Sequence, residues 1–160
     1  RCAEMAWSKF DVGEATSLPY PDAHFDKVVS TQVFEYVDDL DQSVDEFARV
    51  LKPNGKGVIV DTDWDAVYWS STNNKLRDQI IQIWSDHCAQ TATPMRLSHS
   101  ISSAKLSLDR IHVLPLLNTR YDENNFSYWV STIIAAYCVG STQLTESETQ
   151  QWLGDLKALH

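Results

Sequence analysis

The chain has 160 residues, a length that suits one globular domain, and 43% of them are hydrophobic. Its formal net charge of −9 opposes binding to nucleic acid, because lysine and arginine must neutralise the phosphates there. No apolar run is long enough to span a bilayer, and no secretory signal opens the chain. The three cysteines are odd in number and far apart, which argues against a disulfide framework. We therefore expect a cytoplasmic protein that binds neither nucleic acid nor membrane.

Four runs along the chain have the character of β-strands. The two central runs are short, valine-rich and almost continuously apolar, a pattern typical of parallel strands covered on both faces. In chain order, the predicted strands are Trp7–Val12, Phe25–Thr31, Lys56–Thr62 and Ile111–Thr119.

Helical patterns lie between and after these strands. Apolar residues recur at helical spacing in the segments Val44–Leu51, Leu76–Trp84, Leu97–Ala104 and Phe126–Tyr137. Thr145–Glu148 has the sequence of a capping box, which predicts a last helix with Trp152 on its apolar side. The alternation of strands and helices predicts an α/β architecture with a mainly parallel sheet. No linker divides the chain, so we expect a single domain over residues 1–160.

The segment Ala48–Asp61, ARVLKPNGKGVIVD, passes from a helical pattern into a strand pattern. Pro53 and the Asn54-Gly55 pair predict the end of the helix and a tight turn into the strand. An Asn-Gly pair also makes β-hairpins, but the helical stripe before it argues against a hairpin here. Ligands of open α/β sheets bind beyond the carboxyl ends of the strands, so the strand is expected to deliver Asp61 to a binding edge.

Four short motifs follow one another between Gly13 and Asp61, namely GEA, LPYP, FD and RVLKPNG. In this order they resemble the central part of the class I S-adenosylmethionine-dependent methyltransferases, in the type 11 small-molecule group. The resemblance implies a Rossmann-like α/β sheet with flanking helices, of which this chain has strands 3 to 6. It also implies S-adenosylmethionine as cofactor and a small molecule as methyl acceptor.

By this resemblance, two parts of the chain hold the cofactor. The first stands where the family has Gly-Asp-Ala, whose acid accepts a hydrogen bond from the adenine amine, and consists of Gly13, Glu14 and Ala15. The alternative for Glu14 is a solvated loop acid. The second matches the end of the family's fourth strand, which lines the methionine end of the cofactor, and consists of Ser30, Thr31 and Gln32. Ordinary strand termination is the alternative for these three. We expect Glu14, Thr31 and Asp61 to border one cleft.

The acceptor pocket is expected at residues that follow the second and third predicted strands, namely Tyr36, Asp61, Asp63 and Trp64. Aromatic faces stabilise a sulfonium cation, and Asp63 is a candidate base. Tyr36 also fits a packing position under the next helix. Tyr68 and Trp69 are further candidates, of which at least one is expected to be a core residue. No residue is assigned as catalytic, because methyl transfer depends mainly on positioning. No zinc-type ligand spacing is present, so we expect no metal.

The family's glycine-rich turn has no counterpart here, since the five glycines at 13, 55, 57, 140 and 154 form no G-x-G. We therefore expect a partial methyltransferase, with two strands preceding Arg1, that is inactive and binds the cofactor poorly on its own. Self-association through exposed sheet edges is one expected consequence. The competing interpretation is a non-catalytic, Rossmann-like remnant that serves as a binding or scaffold subunit. A nicotinamide-dependent oxidoreductase is disfavoured, because no dinucleotide fingerprint is present.

Overall fold

A computed structural model of the chain describes residues 8–159. In chain order the elements are β1 (Phe25–Thr31), α1 (Leu40–Val50), β2 (Leu51–Val60), α2 (Asn74–Ser85), α3 (Thr93–Ser103), α4 (Phe126–Gly140) and α5 (Glu146–Leu159). Two short 3-10 helices, Phe34–Tyr36 and Trp64–Ala66, follow the strands. The described residues divide into two compact units, one of residues 8–63 and 92–109 and the other of residues 64–91 and 110–159.

The sheet of the first unit consists of β1 and β2, which run parallel. Val29 lies opposite Val58 and Thr31 opposite Val60. The predicted mixture of helices with a parallel pair of strands is therefore confirmed. The predicted double coverage is wrong for the described residues, because one sheet face leaves Val29 67% and Val58 53% exposed. The apolar runs fit coverage on both faces, but only one face is packed.

Two of the four predicted strands do not form. Residues 8–12 and 111–119 are extended or irregular without ladder pairing, while Trp7 lies outside the described residues. In the second of these segments the large apolar side chains are exposed, Val113 by 84% and Leu117 by 87%. A strand needs a neighbour for its backbone hydrogen bonds, and the local apolar pattern does not say whether one is available.

The covered face of the sheet packs on the helices of the first unit. Val28 and Ile59 contact a buried cluster contributed by the 3-10 helix after β1, by α1, by the first residue of β2 and by α3, made of Phe34, Leu40, Val44, Phe47, Leu51 and Leu97. Asp39 caps α1, since its carboxylate accepts a hydrogen bond from the Gln42 N–H at 3.0 Å. This packing holds β1 and β2 in register, and so determines where their carboxyl ends lie.

The helix before β2 ends earlier than the sequence predicts. Leu51, assigned above to the helical stripe, is already extended and pairs with Phe25. The turn at Pro53–Gly55 lies inside β2 instead of between helix and strand. It produces the register irregularity opposite Phe25–Lys27, with Asn54 at a φ of 65°. The Asn-Gly pair thus supplies the tight turn that was predicted, as a bulge that returns the chain to the sheet.

The second unit is helical. Its buried core includes Trp84, Ile134, Cys138 and Trp152 from α2, α4 and α5. The predicted capping box at the start of α5 is confirmed. The Thr145 N–H donates to the Glu148 carboxylate at 2.8 Å, and the Glu148 N–H donates to the Thr145 hydroxyl at 3.3 Å. Within residues 8–159 no helix has the length and apolar character needed to cross a membrane.

Gly57 of β2 packs directly against the Phe47 ring of α1, and this gives a test of the packing. A Cβ at this position would lie 2.4 Å from a ring carbon of Phe47, which is itself buried. We expect Gly57→Ala to lower the free energy of unfolding by about 1–3 kcal/mol through overpacking. The control is Gly154→Ala in α5, where a Cβ meets nothing within 4 Å. That change should stabilise the chain by about 0.5–1 kcal/mol. Urea unfolding followed by circular dichroism measures both, and equal effects would contradict the packing.

Candidate functional site

The carboxyl ends of β1 and β2 lie side by side in the first unit. The backbone N–H of Gln32 donates to the Val60 carbonyl at 2.7 Å, which closes the parallel ladder at its last pair. The polar residues at this end, here called the carboxyl edge, are Ser30, Thr31, Gln32, Asp61, Thr62 and Asp63. Of the residues predicted to border one cleft, Thr31 and Asp61 are therefore neighbours.

Three side-chain oxygens of the carboxyl edge are buried without a hydrogen-bond partner inside residues 8–159. They are Ser30 Oγ, Asp61 Oδ2 and Asp63 Oδ1. A buried polar atom that lacks a partner costs stability. Two of the three are carboxylate oxygens, which accept hydrogen bonds, so the edge fits a ligand that brings hydrogen-bond donors or positive charge.

Asp61 is the acid that ends β2, and its environment disfavours the charged form. Burial is the main cause and the negative charge of Glu35 the second, and together they raise its pKa to about 6. Hydrogen bonds from backbone N–H groups act in the opposite direction. The Asp61 Oδ1 atom accepts from Val33 at 3.1 Å and from Phe34 at 3.2 Å.

The predicted adenine segment forms a tight turn. The Ser17 N–H donates to the Glu14 carbonyl at 3.0 Å, and Ala15 occupies the turn between them. A side chain at Gly13 would collide with Pro19, whose Cδ lies 2.6 Å from the position of a Cβ. The Glu14 side chain is exposed, and it follows residues that form no strand. Its contact with an adenine stays a prediction.

An anchor that the sequence analysis missed fixes the segment after this turn onto α1. Arg49 donates to the carbonyls of Leu18 at 3.1 Å and Tyr20 at 2.8 Å, and pairs with Asp22 at 2.7 Å. The Glu46 carboxylate accepts a hydrogen bond from the same arginine. It also accepts one from the Leu18 N–H at 2.7 Å. The signal was available in the sequence, because an acid three residues before an arginine places both on one helix face.

The aromatic candidates fall in different surroundings. Tyr36 is 43% exposed on the 3-10 helix after β1. Trp64 belongs to the second unit, where it is buried edge-to-face against Trp84 with ring centroids 5.2 Å apart. Trp69 also packs in that core, against Trp152, as the packing alternative proposed. Tyr68 is 71% exposed. Contacts of Tyr36 and Trp64 with a methyl acceptor stay predictions.

Comparison with known proteins agrees with the motifs. Residues 2–59 match the family model described as a methyltransferase domain. Over 52 residues the chain is 46% identical to malonyl-(acyl-carrier protein) O-methyltransferase 1 of Coxiella burnetii. The aligned segment covers 32% of this chain and 18% of that protein. It is 38% identical over 74 residues to the uncharacterized methyltransferase YcgJ of Bacillus subtilis, covering 44% and 29%. It is 42% identical over 53 residues to the demethylmenaquinone methyltransferase of Deinococcus radiodurans, covering 33% and 22%.

The carboxyl edge lies within or directly after the matched segment, since residues 30–32 fall inside it and residues 61–63 follow it. Over residues 2–59 the chain is similar to a methyltransferase domain, in the segment that includes β1, α1 and most of β2. The matched segments span less than a third of the length of these relatives.

Loss of the Arg49 anchor should free the segment between Leu18 and Asp22. We expect Arg49→Lys to speed amide hydrogen exchange at Leu18 by about tenfold, because a lysine cannot reproduce the forked contacts with two carbonyls and two carboxylates. Lys52→Ala is the control, since it removes an exposed ion pair with Asp26 on the same unit. That change should leave Leu18 exchange within about twofold. Unchanged exchange in Arg49→Lys would show that Arg49 is not the anchor.

The raised pKa of Asp61 predicts a pH-dependent effect on stability. The folded state binds the Asp61 proton more tightly than the unfolded state does, so stability is lost as pH rises from the ordinary pKa of 3.8 to about 6. Asp61→Asn removes this loss while its side-chain oxygen still accepts from Val33 and Phe34. We expect the variant to be more stable than wild type above about pH 6, by on the order of 1–3 kcal/mol, and equal to it near pH 4.

Urea unfolding at several pH values measures this difference. Asp26→Asn is the matched control on β1, because the hydrogen bond from Lys52 lowers the pKa of Asp26. At neutral pH, Asp26→Asn should therefore have a lower free energy of unfolding than wild type, the opposite of the effect expected for Asp61→Asn. A pH-independent advantage of Asp61→Asn would contradict the raised pKa.

Proposed function

We propose that this chain supplies the central part of the cofactor site of an S-adenosylmethionine-dependent methyltransferase that acts on a small molecule. The single observation that carries the proposal is the parallel pair β1–β2, whose polar carboxyl ends lie next to each other within the segment similar to methyltransferases. In open α/β sheets this is the position where ligands bind.

The cofactor supplies a methyl group on a positively charged sulfur. The residues present suit such a ligand. Its amino, hydroxyl and amine groups are donors, and the unpartnered oxygens of Ser30, Asp61 and Asp63 accept hydrogen bonds. Thr31 and Gln32 flank these atoms at the end of β1, and Glu14 is the proposed partner of the adenine amine. Since methyl transfer is an in-line displacement, the main task of these residues is to orient the reacting groups.

The acceptor is proposed as a class and not as a compound. The names of the relatives refer to malonyl-(acyl-carrier protein) in one case and to demethylmenaquinone in another. In the proposed site, Asp63 Oδ1 is the atom that takes up a proton from an acceptor hydroxyl or amine, because it is an acceptor without a partner in the described chain. Tyr36, partly exposed after β1, is the proposed aromatic contact.

A titration of the isotopically labelled chain with S-adenosylmethionine tests this function. We expect weak, saturable shifts of backbone resonances at Ser30–Gln32 and Asp61–Asp63, because the glycine-rich part of a complete site has no counterpart in this chain. Adenosine triphosphate is the control ligand, since it shares the adenosine and carries phosphates in place of the sulfonium. It should produce much smaller shifts at Asp61 and Asp63, where negative charge repels it.

Two results would contradict the proposal. One is the absence of any shift at the carboxyl edge at millimolar S-adenosylmethionine, which would favour the binding or scaffold subunit. The other is an equal response to both ligands, which would show that the edge does not select a sulfonium.

A further inference from the structure

Glu35 is a fully buried carboxylate to which the proposed function gives no role. It lies in the short 3-10 helix after β1 and is 0% exposed. A buried carboxylate is costly unless hydrogen bonds compensate for the lost water. The Glu35 Oε2 atom accepts from the backbone N–H of Thr62 at 3.1 Å, so an acid that follows β1 holds the chain that follows β2.

Asp61 makes the reciprocal contact. It follows β2, and its Oδ1 atom accepts from the backbone N–H groups of Val33 and Phe34, which follow β1. Each of the two segments at the carboxyl edge thus carries an acid that binds the backbone of the other. We call this arrangement the crossed carboxylate bridge, formed by Glu35 and Asp61.

The bridge lies beside an exposed residue with an unusual backbone. Gln32 has a φ of 54°, in the left-handed region that a residue other than glycine rarely adopts. Its side chain lies 2.7 Å from the Thr62 hydroxyl. With the Gln32 amide turned so that its nitrogen faces Thr62 and Glu35, this nitrogen also lies 3.2 Å from both carboxylate oxygens of Glu35. The surroundings must hold such a conformation in place, and the bridge contributes by fixing the backbone of Val33 and Phe34, which follow Gln32.

We propose that Glu35 is a positioning residue of the cofactor site. Through the crossed carboxylate bridge it fixes the turn at Thr31–Gln32 against Asp61–Thr62, and so sets the shape of the carboxyl edge that the cofactor meets. The inference rests on the proposed function for the identity of the ligand. The bridge itself can be tested on the chain without any ligand.

A purely structural role explains the charges poorly. Well-packed apolar residues of similar volume can often replace a set of buried charged groups without loss of stability. Here a second acid faces the first, and the negative charge of Glu35 helps to raise the pKa of Asp61. Charges kept at such a cost are typical of functional sites. The 3-10 helix whose backbone binds Asp61 thus also carries the negative charge, on Glu35, that raises the pKa of Asp61.

Two variants separate the hydrogen bond from the charge. Glu35→Ala removes both, whereas Glu35→Gln keeps an oxygen that accepts from the Thr62 N–H. In Glu35→Ala we expect amide exchange at Thr62 to rise about tenfold, the Gln32 resonances to lose their positive-φ signature, and S-adenosylmethionine affinity to fall about tenfold. In Glu35→Gln, exchange should stay within about threefold of wild type and most of the affinity should return. Asp26→Asn, on β1 outside the bridge, is the control and should change none of these.

A further measurement keeps the test decisive if Glu35→Ala fails to fold. In Glu35→Gln, the pKa of Asp61, followed by carboxyl carbon NMR, should move down toward its ordinary value because the negative charge is gone. An unchanged Asp61 pKa would overturn the bridge. Wild-type affinity in a folded Glu35→Ala would overturn the positioning role and leave the proposed function standing. If the wild type binds no S-adenosylmethionine, the proposed function fails, whereas Thr62 exchange, Gln32 geometry and Asp61 titration still decide the bridge.

Discussion

The register of the parallel pair β1–β2 is the constraint on which the candidate site depends. Because Thr31 lies opposite Val60, the segments that follow the two strands leave the sheet at the same level. The carboxylates and backbone N–H groups of these segments therefore come within hydrogen-bond distance of one another. A slip of one residue would turn the side chains of one strand to the other face and separate Asp61 from the turn at Val33–Phe34. Gly57 maintains this register, because the missing side chain lets the Phe47 ring pack against β2.

The first unit combines a stabilising apolar cluster with buried polar groups that cost stability at the carboxyl edge. Its covered face buries an apolar cluster around Phe47 and Val44, which supplies the favourable free energy of folding. At the end of the same strands, the Glu35 side chain, the Ser30 hydroxyl and one carboxylate oxygen each of Asp61 and Asp63 are buried. Such groups weaken a fold unless a ligand or a hydrogen-bond network compensates for them. Part of that compensation is internal, through the backbone N–H groups that donate to Asp61 and Glu35, whereas one oxygen each of Ser30, Asp61 and Asp63 stays without a partner in the described chain.

The sequence predicted the local features well and the non-local ones poorly. The extent of β1 is confirmed to the residue, and the capping box of α5 is present, because both depend on neighbouring residues. Residues 111–119 have an equally convincing apolar pattern, yet they form no strand, since a strand also requires a partner that a local pattern does not show. Glu35 was passed over for the same reason. Nothing in its immediate sequence indicates that its carboxylate reaches Thr62, which is 27 residues further along the chain.

The family resemblance itself has a physical explanation in this structure. Several residues of the matched segment make contacts that hold the fold: Gly13 beside Pro19, Gly57 against Phe47, and Arg49 on the carbonyls of Leu18 and Tyr20. These contacts require particular residue types for reasons of packing and hydrogen bonding, whatever ligand the chain binds. The motifs are therefore strong evidence for the local fold and weaker evidence for the chemistry. The evidence for chemistry lies in a smaller set, the carboxylates and hydroxyl at the carboxyl edge, because the fold gains nothing from burying them unpartnered.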